Sequence, residues 1–302
     1  MTSPATQPGE VGPAGDIPAE AIVAASRLVR LGRHYSLAVP RYRGMPLFPG
    51  HPTFEVLSFR TPHGITVAGE EPWGPGNDAQ LGYMSELIMG TAHSGAHVDA
   101  LAHMTIGPEA RWYGGGNTSD HLGDFGPTYG DAAKLPPMFT RGVLLDVAGS
   151  QGVACLSKGQ PISADELAAT ARAQGVKVRP WDVVLIRTGY LSLWPDVEKM
   201  RAHRTPGPDI SAAEWLRDRQ IIATGTDTET YEVQPAPPGP PGQPSNPQPV
   251  HAKLLIEHGI YLMESIYLEE LARDHVYEFL FIAAPLKITG ATGSMIDPLA
   301  VI

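Results

Sequence analysis

The sequence predicts a single α/β domain, and three observations carry that expectation. Strand-like and helix-like signals alternate along the chain without an internal repeat. The runs 142–147 and 182–187 are almost continuous Val, Ile and Leu, as in strands covered on both faces. Between them, Ser163-Ala164-Asp165-Glu166 has the spacing of a helix capping box, in which Ser163 accepts from a backbone N–H and Glu166 reaches back.

Residues 1–17, rich in Pro, Gly, Ser and Thr, read as a disordered arm, and 18–302 as one domain. Ile17-Pro18-Ala19-Glu20 opens an amphipathic helix carrying Ile22, Val23, Ala25, Leu28 and Val29 and ending near Gly32. From Tyr35 to Pro52 the spacing of Pro and Gly forbids a long element, so Val39-Pro40 and Phe48-Pro49-Gly50 are expected as turns edging a pocket. Strands are expected at 54–59, 65–68 and 84–90, the last running straight into a His-rich stretch. The helix begun at Ser163 runs to about Gly175, and Ser211-Ala212-Ala213-Glu214 repeats the capping signature.

Residues 221–227 read as a buried strand ending in a polar loop, and 235–249 as a Pro-rich extended excursion. That excursion is not a domain linker, because the roughly 50 residues after it are marginal for a separate core. Helix at 252–258, strand at 260–263, helix at 266–272 and a long strand at 278–288 complete the domain.

With 302 residues of which 42% are hydrophobic, the chain can bury a substantial core. A formal net charge of -10 and the lack of a Lys/Arg cluster argue against a nucleic-acid partner. No run approaches the roughly 18 apolar residues of a membrane span, and the N-terminus lacks the basic start and apolar stretch of a secretory signal. A soluble cytoplasmic protein is the expectation. The single cysteine, Cys155, excludes an intramolecular disulfide and reads as a small buried hydrophobe, not a nucleophile.

Chemistry concentrates between 93 and 103, where His93, His97, Asp99 and His103 lie within eleven residues. Their offsets from His93 are all even, so an extended chain turns the four side chains to one face; a helix separates them, and Gly95 disfavours helix. Imidazole and carboxylate ligands together suit zinc or manganese, and three protein ligands with open positions are the pattern of catalytic sites.

The pattern His-x-Gly-x-His-x-Asp-x-x-x-His resembles the signature of the metal-dependent cyclase family, which includes bacterial kynurenine formamidases and isatin hydrolase. Residues 182–189, the Gly225-Thr226-Asp227-Thr228 loop, and His251 followed by 259–264 agree in order, so the resemblance spans roughly 30–290. It implies the swivelling β/β/α fold and one or two divalent ions. His93, His97 and Asp99 then hold the first metal, and His103, His251 and Glu264 complete a second site or surround the reactive water. Ala96 stands where the family has Thr and Leu101 where it has Pro; loss of the Thr hydroxyl removes one hydrogen bond that could orient a ligand.

The implied activity is metal-dependent hydrolysis of a C–N bond in a small cyclic or aryl amide of formamide, lactam or imide type, with a lactone or ester as variant. His103 is the first choice for catalytic acid or base and Glu264 the second. The alternatives are a cyclising or dehydrating enzyme that uses the same metal, and a non-catalytic metal- or ligand-binding protein. The resemblance also implies a homodimer or homotetramer.

Tyr42, Phe48, Trp73, Trp112, Tyr113 and Phe125 are candidates for an apolar wall, with the Gly-rich loop 112–117 expected near the pocket. Its glycines lack the dinucleotide-binding spacing. His258 reads as a helix C-terminal cation, Asp227 and Glu229 as structural or supporting acids. His34, His51, His63, His121, His203 and His275 receive no role.

Overall fold

The computed structural model describes residues 9–203, 205–239, 241–242 and 244–302. Among them a nine-stranded mixed sheet organises the molecule. Its strands are β1 (His34–Ser36), β2 (His97–Asp99), β3 (Met138–Asp146), β4 (Val183–Arg187), β5 (Ala223–Thr226), β6 (Tyr261–Glu264), β7 (Glu278–Ala283), β8 (Gly293–Met295) and β9 (Leu299–Val301). Across the sheet they run β1-β9-β7-β3-β4-β5-β6-β2-β8. The central pairs β3/β4, β4/β5 and β5/β6 are parallel and those toward both edges antiparallel.

The helices that matter here are α1 (Ala19–Ser26), α2 (Pro62–Ala68), α3 (Ala164–Ala173) and α4 (Ile210–Arg217). The Val/Ile/Leu runs form β3 and β4, whose residues from Val143 to Leu145 and Val183 to Ile186 are fully buried. That burial is what a parallel centre covered on both faces requires.

The capping box at Ser163 is present, with Glu166 N donating to Ser163 Oγ at 3.3 Å and Ser163 N donating to Glu166 Oε2 at 2.8 Å. The one expected at Ser211 is not. Asp209 caps α4 instead, accepting from the backbone of Ser211 and Ala212, and Ser211 Oγ donates to Asp209 and accepts from Ala164 N. An aspartate two residues earlier outcompetes the serine for the same orphan amides.

Other elements differ from expectation. Residues 1–8 of the expected disordered arm lie outside the described residues; from Gly9 on the segment packs, with a 3-10 turn at Pro13–Asp16, Ala14 buried, and Tyr261 Oη donating to Val11 O at 2.8 Å. The strand expected at 65–68 is part of helix α2: Thr61 caps it, Pro62 takes the first turn, and left-handed Gly69 ends it. The strand at 278–288 stops at Ala283, just before Pro285. Residues 252–257 are π-helical.

The strand Ser85–Met89 that leads into the His cluster does not belong to the main sheet. It pairs antiparallel with Glu55–Arg60 in a separate ribbon whose Val56, Leu57, Phe59, Leu87, Ile88 and Met89 are exposed. No helix among the described residues is long and apolar enough to cross a membrane.

Candidate metal centre

Strand β2 positions the centre. Its three residues are wedged between β6 and β8, with His97 opposite Glu264 on one side and Met295 on the other. The period of a strand turns His97 and Asp99 to one face, as the even offsets suggested. His93 and His103 come from the loops on either side of β2, so a loop-strand-loop path gathers the four rather than one extended run. Gly293, opposite Asp99, is required by close approach: a Cβ there would lie 2.5 Å from the His93 ring.

Around Asp99, itself fully buried, all six sequence-predicted ligands come together. Asp99 Oδ1 lies 3.0 Å from His93 Nδ1, 3.7 Å from His97 Nε2 and 4.0 Å from His103 Nε2, while Oδ2 lies 3.7 Å from His251 Nε2. Glu264 Oε1 is 3.3 Å from His251 Nε2, and its Oε2 is 3.4 Å from His97 Nε2. Two groupings of ligand atoms result: His93, Asp99 and His103, and Asp99, His251 and Glu264. The structure thus puts Asp99 in both groups and His103 beside His93, a division different from the one the resemblance implied.

The donor set fits a divalent cation. Metal bonds of roughly 2.1 Å place neighbouring tetrahedral ligand atoms about 3.4 Å apart, close to the spacings seen here. Both Asp99 oxygens and His97 Nε2 are buried without an aligned hydrogen-bond partner, a state that costs free energy unless a further ligand satisfies them. The other imidazole nitrogens are occupied: His97 Nδ1 meets Gly95 O at 2.8 Å, and His251 Nδ1 meets Glu232 Oε1 at 2.6 Å. Each contact turns the remaining Nε2 inward.

Electrostatics agree. Burial alone would push the Asp99 carboxyl up, but His103, His93 and His97 outweigh it and hold it well below the carboxylate range. Burial likewise opposes charge on His251, yet Glu232 and Glu264 raise its pKa to about 10. His103 faces the cavity, and burial lowers its pKa to about 4 despite Asp99.

The centre opens into a cavity of about 170 Å³. Of the six aromatic candidates only Phe48, from an expected turn, lines it, beside Pro46 and Leu47 just before that turn. Trp112 is buried with its Nε1 donating to Tyr129 O, Tyr113 sits under Gly259, Tyr42 packs on Trp194, Trp73 packs on Tyr83, and Phe125 is exposed. The loop 112–117 therefore shapes the core, not the pocket. Cys155 is no nucleophile: burial raises its thiol to about 11, and His203 Nε2, 3.5 Å away, also meets Leu156 O at 3.0 Å.

Three further groups carried no local signal in the sequence. His51 lines the cavity and stacks on His93 with centroids 5.3 Å apart. Glu229 lines it from the loop after β5. Glu232 accepts from the backbone N–H groups of Val250 and His251 as well as meeting the His251 ring. Asp227, by contrast, is structural, accepting from Thr188 N, Thr188 Oγ1 and Gly189 N within 2.8 Å.

A comparison with proteins of curated function finds no match. The fold is shared by a crystal structure described as a novel cyclase, at TM-score 0.85 and 27% identity, covering 98% of this chain and 97% of that one. An isatin hydrolase bound to thioisatinate aligns at TM-score 0.65 and 19% identity over 95% and 99% of the two chains. Isatin hydrolase A from Ralstonia solanacearum aligns at 0.64 and 20% over the whole of both. A family model described as "Putative cyclase" matches residues 35–233. The chain is thus a member of that cyclase family, in fold and in sequence.

Proposed function

We propose that this protein is a metal-dependent hydrolase that cleaves a C–N bond of a small cyclic or aryl amide of formamide, lactam or imide type. The observation that carries the reading is Asp99, whose buried oxygens have no aligned partner while four imidazoles and Glu264 converge on them. The structural likeness to isatin hydrolases supports the chemistry by analogy of fold.

His93, His97, Asp99, His251 and Glu264 would hold zinc or manganese, with His103 at the border between ligand and catalytic group. Such an ion, when bound, lowers the pKa of water and polarises a carbonyl. The chain's own residues do the rest. His103, neutral at pH 7 and facing the cavity, is placed to take a proton from the attacking water and pass it to the departing nitrogen. Glu264, between His97 and His251 and also lining the cavity, is the second candidate for proton exchange when it is not itself a ligand. Phe48 and Leu47 give the cavity its apolar side.

The exposed apolar ribbon supports a homodimer or homotetramer as part of this reading. The test is elemental analysis beside a panel of aryl formamides, isatin-like lactams, cyclic imides and lactones in ¹⁸O-labelled water. We expect stoichiometric metal and label in the product acid. Turnover without label would favour cyclisation or dehydration, and failure to retain metal after reconstitution would overturn the centre.

A further inference from the structure

Glu229 stands out among the carboxylates around the cavity because it lies outside the two ligand groups and makes no ion pair among the described residues. It lines the cavity together with Phe48, His103 and Gln248. Among the described residues its one hydrogen-bond partner is the Tyr190 phenol, 3.3 Å from Oε1. That phenol has a single proton and also lies 3.1 Å from Met200 O, so it cannot satisfy both acceptors. Arg201, the nearest cation felt by Glu229, sits on an exposed helix and makes no bond to it. Among the described residues no hydrogen bond reaches Oε2, and the side chain lines the cavity.

The loop holds Glu229 there. Asp227 is tied to Thr188 and Gly189, Thr228 O accepts from Ser265 N at 2.8 Å, and Thr230 Oγ1 meets Thr205 Oγ1 at 2.7 Å. Tyr231 turns the chain in the left-handed region at φ 53. A carboxylate fixed at a partly buried wall with half its hydrogen-bonding capacity unused loses hydration without compensation. Consistent with that cost, burial pushes its carboxyl up and the Tyr190 contact offsets only part of the rise.

We propose that Glu229 is the residue that selects substrate, receiving an ammonium or comparable cationic group carried by the amide substrate in the cavity that the metal ligands also line. The inference rests on the hydrolase reading for its substrate scaffold and deepens it: the preferred amide is cationic rather than neutral. One charge-assisted bond to a partly desolvated carboxylate is worth roughly a tenfold preference or more.

The test uses ligands whose ketone cannot be cleaved, so binding is read apart from turnover. Zinc-loaded protein is titrated calorimetrically at pH 7.5 with 3-(aminomethyl)acetophenone and with 3-methylacetophenone. Wild-type protein should bind the amine about tenfold or more tightly over the neutral ketone. Glu229→Gln should bring the two within about threefold while leaving the neutral ligand's affinity unchanged. Glu229→Leu serves as the second variant, with zinc content and melting temperature as folding controls. Equal affinities in wild type, or a preference that survives both variants, overturn the proposal. Turnover of 3-formamidobenzylamine is followed in parallel: a binding preference without turnover would overturn the hydrolase reading and leave the role of Glu229 standing.

Discussion

Two buried charged clusters sit on the same sheet and are finished in opposite ways. At the ends of β3 and β4, Arg187 is closed on all sides: it donates to Asp146 Oδ1 at 2.8 Å, to both oxygens of Glu269 at 2.8 Å and to Ala154 O at 3.0 Å. Around β2, the carboxylate of Asp99 is buried as deeply but is ringed by imidazoles and the Glu264 carboxylate, and neither oxygen is aligned with a donor. The first cluster is complete with protein atoms alone, so it reads as architecture. The second is complete only with a cation, so it reads as function.

Substitution should separate the two most widely. Arg187→Met strands Asp146 and Glu269 and should cost about 3–5 kcal/mol of stability with metal content unchanged. Asp99→Asn should act mainly on function, abolishing metal retention and lowering activity about a thousandfold or more, with a smaller loss of stability in the metal-free protein than Arg187→Met causes. Equal destabilisation of the metal-free forms, measured by calorimetry, would erase the distinction.

A smaller effect belongs to Glu232. Its carboxylate orients His251 through Nδ1, so Glu232→Gln should weaken metal binding about 10- to 100-fold without removing any ligand. Competition with a chromophoric chelator measures this directly. An unchanged affinity would mean that the His251 ring is held by packing alone.

The smallest effect is a pH dependence confined to the open cluster. His251 has its folded pKa raised to about 10, above the 6.5 of the unfolded chain. Its contribution is therefore fully present below pH 6.5 and is lost as pH rises through about 10. Metal-free protein should lose on the order of 1–2 kcal/mol between pH 7 and 9, and Glu232→Gln should flatten the slope. Arg187, whose pKa lies above the ordinary value, adds nothing in that window. A flat denaturant-unfolding profile in the wild type would contradict the charge state assigned to His251.

The same contrast explains what the sequence made legible. His93, His97, Asp99 and His103 are close along the chain, so their chemistry shows as a local pattern. His251 and Glu264 are visible only through resemblance to a family, because strand pairing, which sets Glu264 opposite His97, is what brings them in. Glu229 read as a structural or supporting acid, His51 received no role and Glu232 did not stand out, since their burial and partners are tertiary facts. Among the elements, β3, β4 and α3 were legible because a continuous apolar run and a capping box are strong local signals. Helix α2 was missed because Ile65, Thr66 and Val67 favour strand locally, and the Thr61-Pro62 start outweighed them. Ser85–Met89 carries the apolar run of a strand, but nothing local says which sheet receives it.

The position of β2 between β6 and β8 also sets an order of events during synthesis. His97 leaves the ribosome well before its two backbone neighbours, Glu264 and Met295, which follow only much later in the chain. Until they emerge, the ligand loop has no walls, and a nascent chain can offer a passing cation little more than loose histidines. The candidate metal centre is therefore a late-closing structure, its strand walls complete only once Met295 has emerged.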